Sequence, residues 1–235
     1  MENPNPHRYY ESPLQGRYAS EAMRELFGDQ RRFSTWRRIW LALATAQKQL
    51  GLAITDEQLN AMAAHLDDID FGAAARYEER FRHDVMAHIH AFGDAAPAAR
   101  GIIHLGATSQ FVNCNYDLLT MREGLDLLLG YLAVIIDRLA AFASAHRDVA
   151  TLGFTHYQPA QLTTVGKRAA LWCYEFVMDL EELEHRRASL RLRGAKGTTG
   201  TQASFLALFD GDHAKVKALD REVARQLGLE KTYTI

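Results

Sequence analysis

Among its 235 residues the chain has two cysteines, five prolines and no surplus of either charge, and each scarcity excludes something. Cys114 and Cys173 lie far apart and make neither a disulfide framework nor a zinc ligand set, so a reducing cytoplasm is the expected setting. The formal net charge is −2 and the Lys and Arg residues are scattered without a basic block, which leaves no reason to expect nucleic acid or an acidic membrane surface as partner. No uninterrupted apolar run approaches the ~18 residues of a membrane span. The start, MENPNPHRYY, has no basic segment followed by an apolar one, so no signal peptide is expected. Internal repeats and low-complexity tracts are missing as well.

What is present is a soluble, globular composition, 48% hydrophobic and 24% charged, with apolar residues recurring at helical spacing. Trp36, Ile39, Trp40, Leu43, Ala46 and Leu50 form one stripe, with Gly51 placed to stop it as a C-terminal cap. Thr55 followed by Gln58 has the spacing of a capping box, and a further helix is expected over residues 82–92. From about Asn115 to His146 the pattern predicts a rod of about 30 residues, or ~45 Å. A second rod is expected from about Ala160 to Leu190, with Pro159 suited to its first turn. No alternating strand pattern of useful length appears, so the expected fold is all-α, part of a long-helix bundle. A composition shift over residues 95–110 divides a small N-terminal helical domain, 1–110, from the first part of the bundle, 111–235.

Polar, glycine-containing segments between these helices are where chemistry can sit. Gly106-Ala-Thr-Ser109 precedes a long helix, where free backbone N–H groups and two hydroxyls suit a carboxylate, although Ser or Thr there serves more often as a plain N-cap. Gly153-Phe-Thr-His-Tyr-Gln-Pro-Ala-Gln161 gathers Thr155, His156, Tyr157 and Gln158 in one loop, and a histidine there can exchange a proton with a ligand near neutral pH. Gly194-Ala-Lys-Gly-Thr-Thr-Gly-Thr201 has the wrong order for a phosphate loop and follows a helix, so it reads as a flexible loop and not as a triphosphate site. In Arg82-His83-Asp84 with His88 and His90, only Asp84 and His88 share a helix face, and no HExxH motif is present, so a metal is not expected.

Taken together, SPLQGRYAS, ITDEQL, RHDVMAHIHAFG, GIIHLGATS, TLGFTHYQPAQLTTVGKR and RGAKGTTGTQASF resemble the fumarase/aspartase superfamily over essentially the whole chain. Arg17-Tyr18 and Arg82-His83-Asp84 point to its adenylosuccinate lyase branch. The resemblance implies an all-α bundle and a carbon–nitrogen lyase that releases fumarate from succinyl-purine nucleotides by β-elimination, with no cofactor. It implies that His156 is the general acid for the leaving nitrogen and that His83 is a second active-site histidine orienting or neutralising the anionic substrate. It further implies that Thr108 and Ser109 hold carboxylate or phosphate oxygens, that Arg17 and Tyr18 meet the nucleotide phosphate, and that Arg82 and Asp84 meet the nucleotide. A cytoplasmic homotetramer, with sites assembled from several subunits, is the implied assembly.

Two features depart from that family. Cys114 and Tyr116 stand where many relatives have Asp and Thr, which bears on the geometry beside Ser109. The family's Gly-Ser-Ser-x-Met-Pro loop, which carries the proposed carbon-proton base, occurs nowhere in these 235 residues, nor do the later arginines that clamp substrate. The chain is therefore expected to be an N-terminal portion that is inactive alone. The competing readings are another fumarate-releasing lyase of the superfamily, such as argininosuccinate lyase or fumarase, and a non-catalytic helical fragment.

Overall fold

The computed structural model describes residues 12–234; the MENPNPHRYY start and Ile235 lie outside the described residues. Most helices begin at a side chain that takes up a free backbone N–H of the first turn. Ser20 accepts from Met23 to open α1 (Glu21–Leu26), and Asp70 accepts from Ala73 to open α4 (Phe71–Phe81). Thr55 and Gln58 form the expected reciprocal capping box at α3 (Asp56–Ala64). His83 opens α5 (Asp84–Ala95), Thr164 opens α7 (Val165–Ser189) and Asp212 opens α9 (His213–Gln226). Each cap of this kind contributes about 1 kcal/mol. The remaining helices are α2 (Asp29–Gln49), α6 (Ser109–Ala145) and the short α8 (Ala203–Leu208), with a π-helical turn at Leu14–Tyr18 and a 3-10 turn at Pro97–Ala99.

The chain divides into two compact units, Met1–Thr120 with Arg191–Ile235, and Met121–Leu190. In the first, the α2 stripe is buried as its spacing predicts from Trp36 to Ala46, with Leu50 half-buried, and Gly51, at φ +99°, follows its end. Trp36, Trp40 and Leu43 pack in one core with Val85, Phe92, Phe111, Phe205, Leu219 and Val223. The division does not fall at 110/111. Leu192, Phe205, Phe209 and the Val216, Leu219, Val223 face of α9 join the N-terminal core, so residues 191–235 belong with the first unit. The expected helix over 82–92 begins later, at Asp84, because Arg82 turns left-handed (φ 53°) to end α4 and His83 is extended.

In the second unit, the remainder of α6 runs beside α7, joined by the Arg187–Asp126 ion pair at 2.7 Å. The 37-residue α6 starts earlier than the expected rod and is ~55 Å long. By length and composition it could cross a membrane, contrary to the expectation from the apolar runs, because isolated charges barely lower the mean hydropathy of a long helical stretch. That apolar stretch is not buried among the described residues, whereas the first turns of α6 are packed in protein, with Phe111, Val112, Tyr116 and Leu119 in the core.

The expected helical start at Ala160 is replaced by an antiparallel hairpin, β1 (Ala150–Thr155) and β2 (Gln158–Thr164). The all-α class stands, with this hairpin as its local exception. His156 and Tyr157, at φ 52° and 60°, are its two turn residues, the left-handed pair that matches strand twist in a two-residue hairpin. Pro159 lies in β2 opposite Phe154, next to an irregularity at Gly153/Phe154. A ladder of two edge strands tolerates the missing N–H. The β-branched residues Thr151, Thr155, Thr163 and Thr164 favour this extended backbone.

Candidate active site

The α4–α5 corner places Arg82, His83 and Asp84 in succession. The Met86 N–H donates to His83 Nδ1 at 3.3 Å, so the neutral ring carries its proton on Nε2 and presents that atom from an exposed position. Asp84 Oδ1 accepts from its neighbour Val85 N–H at 2.7 Å, while Oδ2 lies 3.8 Å from Arg32 Nη2. That guanidinium also donates to Asn113 Oδ1 at 3.3 Å, and Asn113 Nδ2 reaches the Ser109 carbonyl at 3.5 Å. Arg32 therefore ties the start of α5 to the start of α6, stacked 4.9 Å from the Trp36 ring.

His104, in the segment leading to α6, joins the same region. Its backbone is left-handed (φ 66°), and its Nδ1 accepts from Trp40 Nε1–H at 2.8 Å. Burial, and then the nearby charge of His83, lower its pKa to about 4, so it is a neutral Nε2–H donor at neutral pH. Two residues on, Gly106 is left-handed, and a Cβ there would lie 2.5 Å from Leu208 Cδ1. Among the described residues, neither the Thr108 nor the Ser109 hydroxyl makes a hydrogen bond, so neither serves as the plain cap that such residues most often provide. Both hydroxyls, and the unpaired N–H groups of the first turn, are open to an anion.

The Gly194–Thr201 loop, expected to be flexible, is instead held by buried polar contacts. Asn115 donates from Nδ2 to the Gly194 carbonyl at 3.0 Å and accepts the Gly194 N–H at 3.1 Å. Asp220 of α9 accepts from the Ala195 N–H at 2.7 Å and from Gln202 Nε2 at 3.2 Å, and pairs with the buried Lys196 ammonium. Arg193 Nη2 donates to the Gly197 carbonyl at 2.9 Å. The loop passes close against Thr108. The departures at Cys114 and Tyr116 leave α6 unbroken: Cys114 is half-buried and Tyr116 joins the core.

The first unit thus gathers His83, Asp84, His104 and Ser109 around the Arg32 and Asn113 links, with Thr108 beside the Gly197 loop. Arg82 is exposed on the same corner. Arg17 and Tyr18 sit on the exposed Leu14–Tyr18 turn, with the guanidinium 5.6 Å from its neighbour's ring and no contact, among the described residues, to the rest of the group. In the second unit, His156 and Tyr157 stand exposed at the hairpin tip. Asp84 and His88 do not act together. His88 is buried, stacked 3.6 Å on Phe33, and its pKa is pushed down to about 4 by burial and by Arg37. Among the described residues, no group of three or more His, Cys, Asp or Glu side chains is placed to hold a metal. Arg32, Asn113 and His104 were not singled out from the sequence, and the Gly194–Thr201 loop was singled out only as a flexible segment. His104 sits inside the GIIHLGATS motif, which is the signal that could have found it.

A family model described as Lyase matches residues 17–210. The chain belongs to this lyase family. It is 55% identical to the adenylosuccinate lyase of Schizosaccharomyces pombe and 52% identical to that of Saccharomyces cerevisiae, in each case over 96% of the chain and 48% of the relative. It therefore spans about half the length of the curated relatives it matches. Among solved structures, a fumarate lyase from Mesorhizobium sp. BNC1 superposes with a TM-score of 0.78 at 30% identity, over 94% of this chain and 51% of that one. The all-α bundle expected from the resemblance agrees with that neighbour.

Proposed function

We propose that these residues form part of the active site of an adenylosuccinate lyase, which releases fumarate from succinyl-AMP and from the succinylated aminoimidazole carboxamide ribotide. The observation that carries the reading is the 55% identity to an enzyme of that name across 96% of the chain. A relative named for different chemistry, the N-acetyl-S-(2-succino)cysteine lyase of Enterococcus italicus, reaches 28%.

In the proposed reaction a base removes a proton from the succinyl carbon next to a carboxylate, the charge spreads into that carboxylate, and the C–N bond breaks. His156, at the tip of the hairpin, donates a proton to the departing nitrogen, a transfer that contributes ~10²–10⁴ in rate. His83 orients or neutralises the anionic substrate. Thr108 and Ser109 hold its carboxylate or phosphate oxygens, and their hydroxyls have no competing partner among the described residues. Arg17 and Tyr18 meet the nucleotide phosphate, and Arg82 and Asp84 meet the nucleotide itself. The base and the clamping arginines that the family resemblance implies are not among these residues, which span about half the length of the curated relatives.

A homotetramer in the cytoplasm is the proposed working form. It is supported by the apolar side chains that α6 and α7 leave exposed, among them Val134, Ile135, Leu171 and Trp172, and by a cavity of about 480 Å³ between Leu128, Leu132 and Leu183. An uncovered apolar face of this kind marks an association surface. The test is steady-state kinetics of the full-length protein on succinyl-AMP, argininosuccinate and malate. Turnover of succinyl-AMP alone, lost by ~10²-fold or more in His156→Ala with KM little changed, is the expected result. Preference for either other substrate, or turnover of the variant within about threefold of the parent, rejects the reading.

A further inference from the structure

The Gly194–Thr201 loop has no part in the proposed chemistry, yet buried charge is spent on holding it. Lys196 and Asp220 are both buried, and a desolvated pair of this kind persists only where further hydrogen bonds satisfy it. Here the Ala195 N–H, the Gln202 amide and the Arg193 carbonyl do so. Among the described residues, the side chain that Gly197 of this loop lies against is Thr108 of the proposed site. A Cβ built on Gly197 would overlap Thr108 Oγ1 and come within 3.0 Å of its Cγ2.

Three glycines of the loop differ in what they require. Gly194 and Gly200 have φ of +81° and +73°, where glycine suits the backbone itself. Gly197 does not have a left-handed backbone, so alanine is allowed there as far as φ is concerned. What excludes a side chain at Gly197 is Thr108. Its neighbours complete the argument: Thr108 is exposed and its hydroxyl is not held by any hydrogen bond among the described residues. The rotamer of that hydroxyl is therefore set by packing against the loop.

We propose that Gly197 is a positioning residue for substrate binding, its bare Cα leaving the space in which the Thr108 hydroxyl sits and so fixing the side-chain rotamer that meets the anion, with the Lys196–Asp220 pair holding the loop in place. This rests on the reading of Thr108 as a contact to an anionic oxygen. Gly197→Ala leaves the backbone and the anchoring contacts intact and turns the Thr108 side chain aside. Thr108→Ala removes the hydroxyl itself.

The experiment is a double-mutant cycle in the full-length protein, with KM and kcat for succinyl-AMP and the melting temperature read for each variant. Thr108→Ala is expected to raise KM roughly 10- to 100-fold, the range for a hydrogen bond to a charged group. Gly197→Ala is expected to raise KM by about tenfold or more with little change in melting temperature, and the double variant to be no worse than Thr108→Ala alone. Effects that multiply in the double variant, or a Gly197→Ala enzyme within about twofold of the parent while Thr108→Ala is impaired, overturn the positioning role. A Thr108→Ala enzyme with unchanged KM instead removes the reading of Thr108, and the inference falls with it. Should Gly197→Ala not fold, Gln202→Ala loosens the same loop from Asp220 and is judged by the same cycle. A purely structural role would lower the melting temperature and leave KM alone.

Discussion

His88 and His104 show how single residues report their surroundings. Both are kept neutral by burial, their pKa values lowered from 6.5 to about 4. The unfolded chain binds their protons near the ordinary value, whereas the folded chain resists until about 4. Between those limits the unfolded state holds more protons, so stability is full above about pH 6.5 and is lost as the pH falls toward about 4. Asp67, Asp68 and Asp94 also hold lowered pKa values through contacts with Arg38, His65, Tyr77 and Arg100, and burial opposes the shift in each. Their contribution is lost only below the usual carboxylate value of 3.8, in a separate and lower window. The expected outcome is a melting temperature that falls from about pH 7 to about pH 5, with a shallower slope in His88→Leu, measured by thermal denaturation across that range. An unchanged slope would mean that His88 is protonated freely in the folded protein. None of this is visible in the sequence, where RHDVMAHIH offers its histidines only as polar residues on a helix and gives no sign that His88 stacks on Phe33.

At the scale of elements, caps and stripes were legible and the hairpin was not. Thr55 with Gln58, the α2 stripe and the stop at Gly51 rest on local chemistry: a side-chain oxygen within reach of a free N–H, or a backbone that only glycine adopts easily. The hairpin rests instead on pairing between β1 and β2, and its His-Tyr turn lacks the Asn-Gly or Asp-Gly signature of such a turn. Proline read as a helix start was in fact a residue on an edge strand. The true start of α7 is Thr164, whose Oγ1 accepts the Lys167 N–H at 3.0 Å. Thr164→Ala is therefore expected to cost about 1 kcal/mol, read as a lowered denaturation midpoint, while Pro159→Ala leaves the helix start unaffected. A larger loss from Pro159→Ala than from Thr164→Ala would return the helix start to Pro159.

For the whole molecule, the decisive feature is what these residues hold and what they do not. They hold an acid candidate at the hairpin tip and a candidate anion-binding group around the start of α6, but no Gly-Ser-Ser-x-Met-Pro loop. Acid and base act on one substrate, so one cannot make good the loss of the other. Residues 1–235 alone are accordingly expected to release no fumarate from succinyl-AMP, measured on purified protein shown to be helical by circular dichroism. Turnover on the order of 1 s⁻¹, the low end for enzymes, would place a base among these residues.

By itself the sequence determined the helical class, the Thr55–Gln58 capping box, the stop at Gly51 and the principal buried stripe, because each depends on neighbours within a few residues along the chain. Tertiary structure alone decided that residues 191–235 close the first unit, that Arg32 links Asp84 to Asn113, that His104 accepts from Trp40, and that Gly197 abuts Thr108. Those pairings join residues distant in sequence. Whether a charge is buried and what it meets depends on how the helices pack, and no local spacing encodes that.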